Sequence, residues 1–162
     1  VKNWEICVLL VSESPSSFHQ LQRSLERRHC RCLRAQSYEE AHQLLGEVTP
    51  EIVLSAIPPQ PGAISSLTRR LDGTKASFYY AYPVENGCWW MPALHRGEQC
   101  LGAPAMRPAK FAGLIDQVVE EIRAERDRER KLAPAVAIPR VLPVRPARPR
   151  KPALLAFTKA AG

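Results

Sequence analysis

The hydrophobic pattern of the chain alternates between two periods. Ile6-Cys7-Val8-Leu9-Leu10-Val11 is a continuous apolar run, the length and character of a central parallel strand covered on both faces. Ser14-Pro15 then supplies an N-cap with proline at the first helical position, and Phe18, Leu21, Leu25 and His29 continue as a helical stripe. Cys30 to Gln36 is a second, short strand. Ser37 and Glu40 have the spacing of a capping box, and Ala41, Leu44, Leu45 and Val48 form the buried face of a helix that stops between Gly46 and Thr49. Ile52 to Ile57 is a third strand, Ile64 to Leu71 a weaker helix with Arg69 and Arg70 outward, and Asp72-Gly73 its end. Aromatic-rich Ala76 to Ala81 reads as a fourth strand and Cys100-Leu101-Gly102-Ala103 as a short fifth. Between them Gly87 and Pro92 bracket Cys88-Trp89-Trp90-Met91, so a helix there is short, broken or replaced by loop.

The last helix carries the clearest stripe, Phe111, Leu114, Ile115, Val118, Val119 and Ile122. From Arg123 to Lys131 charges of both signs replace it, with Asp127 four residues before Lys131, so the extension is expected to run into solvent on side-chain pairs alone and to fray. Strands alternating with helices imply a parallel sheet with right-handed crossovers. The expectation is an α/β, flavodoxin-like, doubly wound five-stranded parallel sheet of order 2-1-3-4-5, followed by a disordered tail. In such a sheet functional groups gather at the carboxyl ends of strands one and three, where the topology switches.

Charge divides the chain. The net of +7 resembles a nucleic-acid signal, but residues 1–122 hold 12 Lys/Arg against 13 Asp/Glu, whereas residues 123–162 hold 11 against 3. The expected organisation is therefore a domain over 1–122, a charged helical extension over 123–131 and a basic tail over 132–162. No run of about eighteen apolar residues or signal-like segment is present, which excludes a membrane reading at this level and leads to an expected cytoplasmic location. Five scattered cysteines lack C-x-x-C spacing. Cys30 and Cys32 share a strand face, where a shared metal is conceivable and buried reduced thiols are the ordinary outcome. His19, His29, His42 and His95 make no zinc-type pair. No metal and no cofactor is expected.

The residues at the expected switch point carry a resemblance. Ile52 to Ile57 runs into Pro58-Pro59-Gln60-Pro61-Gly62 and, with the spacing over Glu5 to Ile122, resembles a bacterial two-component receiver domain. Where that family keeps its phosphate-accepting aspartate, this chain has Ala56. Its paired magnesium-binding acids correspond to Ser12 and Glu13. The switch threonine or serine corresponds to Ala81, followed by Tyr82 and Pro83, and the lysine before proline corresponds to Ala103 before Pro104. The resemblance thus implies a degenerate, pseudo-receiver site. Phosphoryl transfer to a side chain needs an oxygen nucleophile, a cation site and a charge to hold the product, and Glu13 alone remains. Ser55 lies on the opposite strand face from Ala56 and cannot substitute. Losing aspartate and lysine together avoids stranding a half-buried cation.

What remains is a protein-binding surface. The family makes dimer and output contacts near its fourth helix, fifth strand and fifth helix, which places Trp89, Trp90, Met91 and Phe111 in the segments of interest; tryptophan is favoured at interface centres, and two adjacent tryptophans also place at least one ring in a core. Partners expected on this reading are a protein, including a second copy of the chain. The Ser12 to Ser17 turn before a helix is a conceivable site for a nucleotide or flavin phosphate, but it has no glycine and Glu13 would repel the anion.

The tail has Pro143, Pro146, Pro149 and Pro152 at every third residue. In polyproline II these form one edge and Arg145, Arg148 and Lys151 a second, with charges about 9 Å apart. Three uses fit: a solubilising tail, weak sequence-independent nucleic-acid contact through Arg140, Arg145, Arg148, Arg150 and Lys151 with a log–log salt slope of roughly −4, or a proline-rich ligand. Ala153 to Phe157 is a small apolar peptide after the rod. The leading expectation is an atypical stand-alone response regulator acting by phosphorylation-independent contact, not an enzyme; the alternative is a nucleic-acid-associated accessory protein working through its tail.

Overall fold

The computed structural model describes residues 6–58, 60, 62–85 and 87–133. The proline-arginine tail, including Arg140, Arg145, Arg148, Arg150 and Lys151, lies outside the described residues, as does the expectation that it is disordered. The elements are β1 (Ile6–Val11), α1 (His19–Arg27), β2 (Cys30–Ala35), α2 (Tyr38–Glu47), β3 (Ile52–Ser55), α3 (Ala63–Leu71), β4 (Ser77–Val84), β5 (Gly87–His95), β6 (Glu98–Gln99) and α4 (Pro108–Leu132).

Strands β2, β1, β3 and β4 are parallel neighbours in that order, built from the runs that the apolar pattern marks. Helices α1 and α4 cover one face, where Val8, Leu10, Ile52, Leu54 and Tyr79 meet Phe18, Leu25, Phe111, Ile115, Val118 and Ile122. Helices α2 and α3 cover the other, where Leu9, Val11, Val53 and Phe78 meet Tyr38, Ala41, Leu67 and Leu71. The expected capping of α2 is present: the Ser37 hydroxyl accepts the Glu40 N–H at 3.1 Å, and the Glu40 carboxylate accepts the Gln36 N–H at 2.6 Å.

Beyond β4 the architecture corrects the five-stranded, all-parallel expectation. The sheet has six strands in the order β2-β1-β3-β4-β5-β6, and β5 and β6 each run antiparallel to the strand before. Cys100 to Ala103 forms no strand; the chain there is a turn and loop. In place of a crossover helix, the chain reverses directly after Val84, and Gly87 to His95 pairs back along β4. Pro92 fits within β5 because the register shifts between Phe78 and Tyr79 opposite it, and because the outer pairings of β5 fall on Leu94, His95 and, through a single bridge to Met106, Trp90. The β5–β6 reversal uses positive φ at both Arg96 (53°) and Gly97 (85°), the twist that a two-residue hairpin requires. A side chain at Gly97 would meet the Thr74 carbonyl oxygen at 2.6 Å.

Two further expectations change. The first helix begins at His19, not at Ser14: the chain first makes a turn in which Ser17 N–H reaches Ser14 O at 3.2 Å and His19 N–H reaches Ser16 O at 3.1 Å. His29 falls after the helix in the left-handed region (φ 59°) and is not part of its stripe.

The charged half of α4 does not rely on its own side-chain pairs. Arg126 pairs with Glu51, Lys75 with Glu125 (2.9 Å) and Glu129 (2.6 Å), and Arg96 with Glu125. The extension therefore leans on the amino-terminal edge of the sheet through groups before β3, before β4 and after β5. These pairs enclose a cavity of about 240 Å³.

Candidate functional site

The carboxyl ends of β1 and β3 come together as the sequence implies. Ser12 N–H donates to Ala35 O at 2.9 Å and Ala56 N–H to Val11 O at 2.8 Å, so Ser12 and Ala56 follow adjacent strands at the same edge. Strand alternation puts Ser12, Ala56 and Ala81 on the α1/α4 face. The three arrive with no charge among them. The Ser12 hydroxyl is spent locally, donating to Ser14 O at 2.9 Å and accepting Ser14 N–H at 3.2 Å. Glu13 is exposed in the following turn.

Ala103 is not at this edge by any strand. It sits in the loop between β6 and α4, its N–H toward Cys100 O at 3.5 Å, so the expected lysine-equivalent position is not delivered by a fifth parallel strand. Ser55 points the other way, buried, with its hydroxyl 3.0 Å from that of Tyr38, which also reaches Ile57 O at 3.3 Å. Burial raises the pKa of the Tyr38 hydroxyl and the Ser55 hydrogen bond partly opposes the rise. Ser55 is a structural tie between β3 and α2, unavailable as a nucleophile on the opposite face.

Aromatic packing occupies the face above the alanines. Trp90 stacks on Phe111, ring centroids 4.1 Å apart at 5°, and stands 5.9 Å from Phe18. Phe111 is also edge-on to Tyr79 at 5.4 Å. Ala56 and Ala81 belong to the same apolar cluster. Alongside, a groove of about 610 Å³ runs between α1 and α4, floored by Phe18, Trp90 and Phe111 and rimmed by Ser16, Ser17, His19 and Asp116. Asp116 is held to Arg28 at 3.3 Å. The cavity next to the serine turn, lined by Ser12, Ser14, Phe18 and Arg34, is about 50 Å³, room for a few water molecules and too small for a flavin or nucleotide.

The four interaction candidates separate. Trp90 and Phe111 are core residues, 7% and 2% exposed. Trp89 and Met91 project to the α2/α3 face, where they pair across the hairpin with Tyr82 and Tyr80. Beyond the cover of α3 this face is open: Tyr82 is 47%, Val84 39% and Trp89 37% exposed. Arg107 lies 5.8 Å from the Trp89 ring centroid, close enough for a cation–π contact. Tyr82 and Val84 were not among the sequence-derived candidates; the signal that would have found them is Asn86-Gly87 between alternating residues, which marks a hairpin.

Among the described residues no group of three or more His, Cys, Asp or Glu side chains is placed to hold a metal ion, and no helix is long and apolar enough to cross a membrane. Cys30 and Cys32 are free; burial pushes the Cys30 thiol up and the Cys32 thiol up to about 12, which favours the protonated form over a metal-binding thiolate. No family model, curated protein or solved structure matches the chain.

Proposed function

We propose that this chain is a signalling or adaptor module that acts through protein contact without being phosphorylated, its first four strands patterned like a receiver and its phosphate chemistry absent. One observation carries the reading: the carboxyl ends of β1 and β3 present Ser12 and Ala56, Ala81 lies within the neighbouring β4, and the face above them is packed by Phe18, Trp90 and Phe111. A site for a transferred phosphoryl group would need a nucleophile, a cation and a counter-charge at that place. The resemblance supports the reading as far as β4; the β4–β5–β6 hairpins depart from it. They supply instead an exposed apolar surface of Tyr82, Trp89 and Val84, and tyrosine and tryptophan are among the residue types that dominate contact energetics.

Incubating the full chain with a low-molecular-weight phosphodonor and magnesium, then weighing the intact protein, tests the proposal. The mass should remain unchanged, with no acid-labile phosphate adduct, and a stoichiometric adduct would overturn it.

A further inference from the structure

The edge of the sheet opposite the hairpins is open. β2 pairs only with β1, and successive residues of a strand turn their backbone groups to alternate sides. Ala35 O accepts the Ser12 N–H at 2.9 Å, so Ala35, Leu33 and Arg31 bond toward β1, whereas Cys32 and Arg34 turn their N–H and C=O outward. Among the described residues no hydrogen bond closes those outward groups. Such a row is a template on which another extended chain adds a strand about 4.8 Å away.

Positive charge surrounds this edge. The stretch from His19 to Gln36 carries five arginines and one glutamate, while the other residues of 1–122 hold 7 Lys/Arg against 12 Asp/Glu. Arg28 is paired with Asp116 and Glu120. Arg23, Arg27, Arg31 and Arg34 are exposed, and none of the four makes an ion pair among the described residues. Arg34 rests on a neutral acceptor, its Nε 2.8 Å from the Gln22 side-chain oxygen, and the Gln22 side-chain N–H donates to Glu26 at 2.6 Å. Arg31 and Arg34 flank the open edge from opposite faces: Arg34 shares the α1/α4 face with Cys30 and Cys32, and Arg31 the α2/α3 face with Leu33 and Ala35. Three residues apart, they are separated by about 10 Å along the strand.

We infer that this edge takes an extended, acidic segment of a partner protein, which adds a strand beside β2 and presents two carboxylates three residues apart, one to Arg31 and one to Arg34. The odd spacing follows because side chains of the added strand also alternate between faces. A second copy of the chain is the wrong occupant: pairing β2 with β2 would bring the same arginines to both sides of the new ladder, and charges of one sign on an edge deter such pairing. Nucleic acid fits less well, since a phosphate chain cannot complete a backbone ladder and Glu26, Glu39 and Glu40 stand exposed on the flanking helices. The surface lies at the other edge of the sheet from Tyr82 and Trp89 and does not depend on whether the chain accepts phosphate.

The test uses the full chain, labelled with nitrogen-15, and a blocked eight-residue peptide of valine and threonine with glutamates at its third and sixth positions. Hydrogen exchange at the Cys32 and Arg34 amides, fast in the free protein, should slow when the peptide is added. Arg31→Ala and Arg34→Ala, both at exposed positions, should each weaken binding about tenfold. Two control peptides separate this contact from attraction to the basic tail. One is the isomer with glutamates third and fifth, equal in charge but with both acids on one face; the other is the original peptide with alternate amides N-methylated, which keeps the acids and loses the ladder. Both should bind at least about tenfold more weakly. Equal affinity of either control would overturn the inference, as would unprotected Cys32 and Arg34 amides. Protection by a single-stranded oligonucleotide and not by the peptide would assign the edge to nucleic acid, and protection that grows with protein concentration alone would assign it to a second copy; either result overturns it too. A phosphate adduct, by contrast, would sink the proposed function and leave this result standing.

Discussion

Trp90 lies flat against Phe111, with ring centroids 4.1 Å apart and planes within 5°. The pair joins the antiparallel hairpin to the start of α4 and closes the face where Ala56 follows β3 and Ala81 lies within β4. One residue earlier, Trp89 points to the other side of the sheet and is 37% exposed. The strand period of two thus assigns the adjacent tryptophans opposite duties, one to the core and one to the surface.

That division predicts unequal costs. Trp90→Ala removes a stacked, buried ring and should lower unfolding free energy by about 3–5 kcal/mol. Trp89→Ala removes a ring half in water and should cost less than about 1 kcal/mol. Urea unfolding of the two variants, followed by circular dichroism, makes the comparison. Similar costs would mean that the assignment of the rings is wrong.

Restoring the acceptor alone should not restore phosphorylation. Ala56→Asp places a carboxylate against an aromatic cluster, with neither a second acid at Ser12 nor a lysine equivalent beside it, so no adduct should form with a phosphodonor and magnesium. Desolvation should also hold that new carboxyl above its ordinary pKa of about 3.9. The variant's penalty relative to wild type should therefore be small below about pH 4 and grow as pH rises through the raised value. Intact mass and a pH series of denaturation midpoints read both effects.

Glu51 binds several elements together at the other edge. One carboxylate oxygen accepts the Cys7 N–H at 2.7 Å and the other pairs with Arg126, while its backbone bonds Cys7 O and Ser77 N–H at 2.9 and 2.8 Å. Glu51→Ala leaves the Cys7 N–H without its acceptor and should cost about 1–3 kcal/mol. Arg126→Ala breaks only a partly exposed ion pair and should cost about 1 kcal/mol or less. Both should speed hydrogen exchange in the last turns of α4, which would be unaffected if the extension were held by pairs along the helix itself.

How far the fold could be read from the sequence follows from how local each signal is. β1, β2 and β3 and the helices between them rest on runs of apolar residues and on the Ser37–Glu40 cap, all contained within a few residues, and they form where the pattern places them, except that α1 starts at His19 after a turn and ends before His29. The second half of the sheet depends on a competition between a crossover helix and an immediate reversal. Pro92 argues against both a helix and an inner strand, and only the register shift opposite it and the sparse outer pairing of β5 resolve the conflict. The docking of α4's charged half was hidden for another reason. Its partners Glu51, Lys75 and Arg96 are remote in sequence and become neighbours only once β3, β4 and β5 are aligned. At the switch point the identities of Ser12, Ala56 and Ala81 were legible, whereas the place of Ala103 was not, because it depended on a fifth parallel strand that the hairpin replaces.

The buried thiols and hydroxyls set an alkaline limit on stability. Burial raises the Cys7, Cys30 and Tyr38 pKa values and pushes Cys32 and Tyr79 each up to about 12. On unfolding these groups return to ordinary values near 9 for the thiols and 10 for the phenols, so above those values the unfolded chain releases protons that the folded chain retains. Their contribution is fully present below about pH 9 and is lost as pH rises toward 12. The denaturation midpoint should therefore fall steadily over that window. Cys32→Ser, which replaces the thiol by a hydroxyl that does not titrate there, should show a shallower fall than wild type even if its midpoint at neutral pH is lower. Alkylation provides a second readout: at pH 8.5 in native conditions the buried Cys30 should react far more slowly than the half-buried Cys88, and the protection should vanish in denaturant. Equal labelling of Cys30 and Cys88 in the native protein would contradict the burial on which both expectations depend.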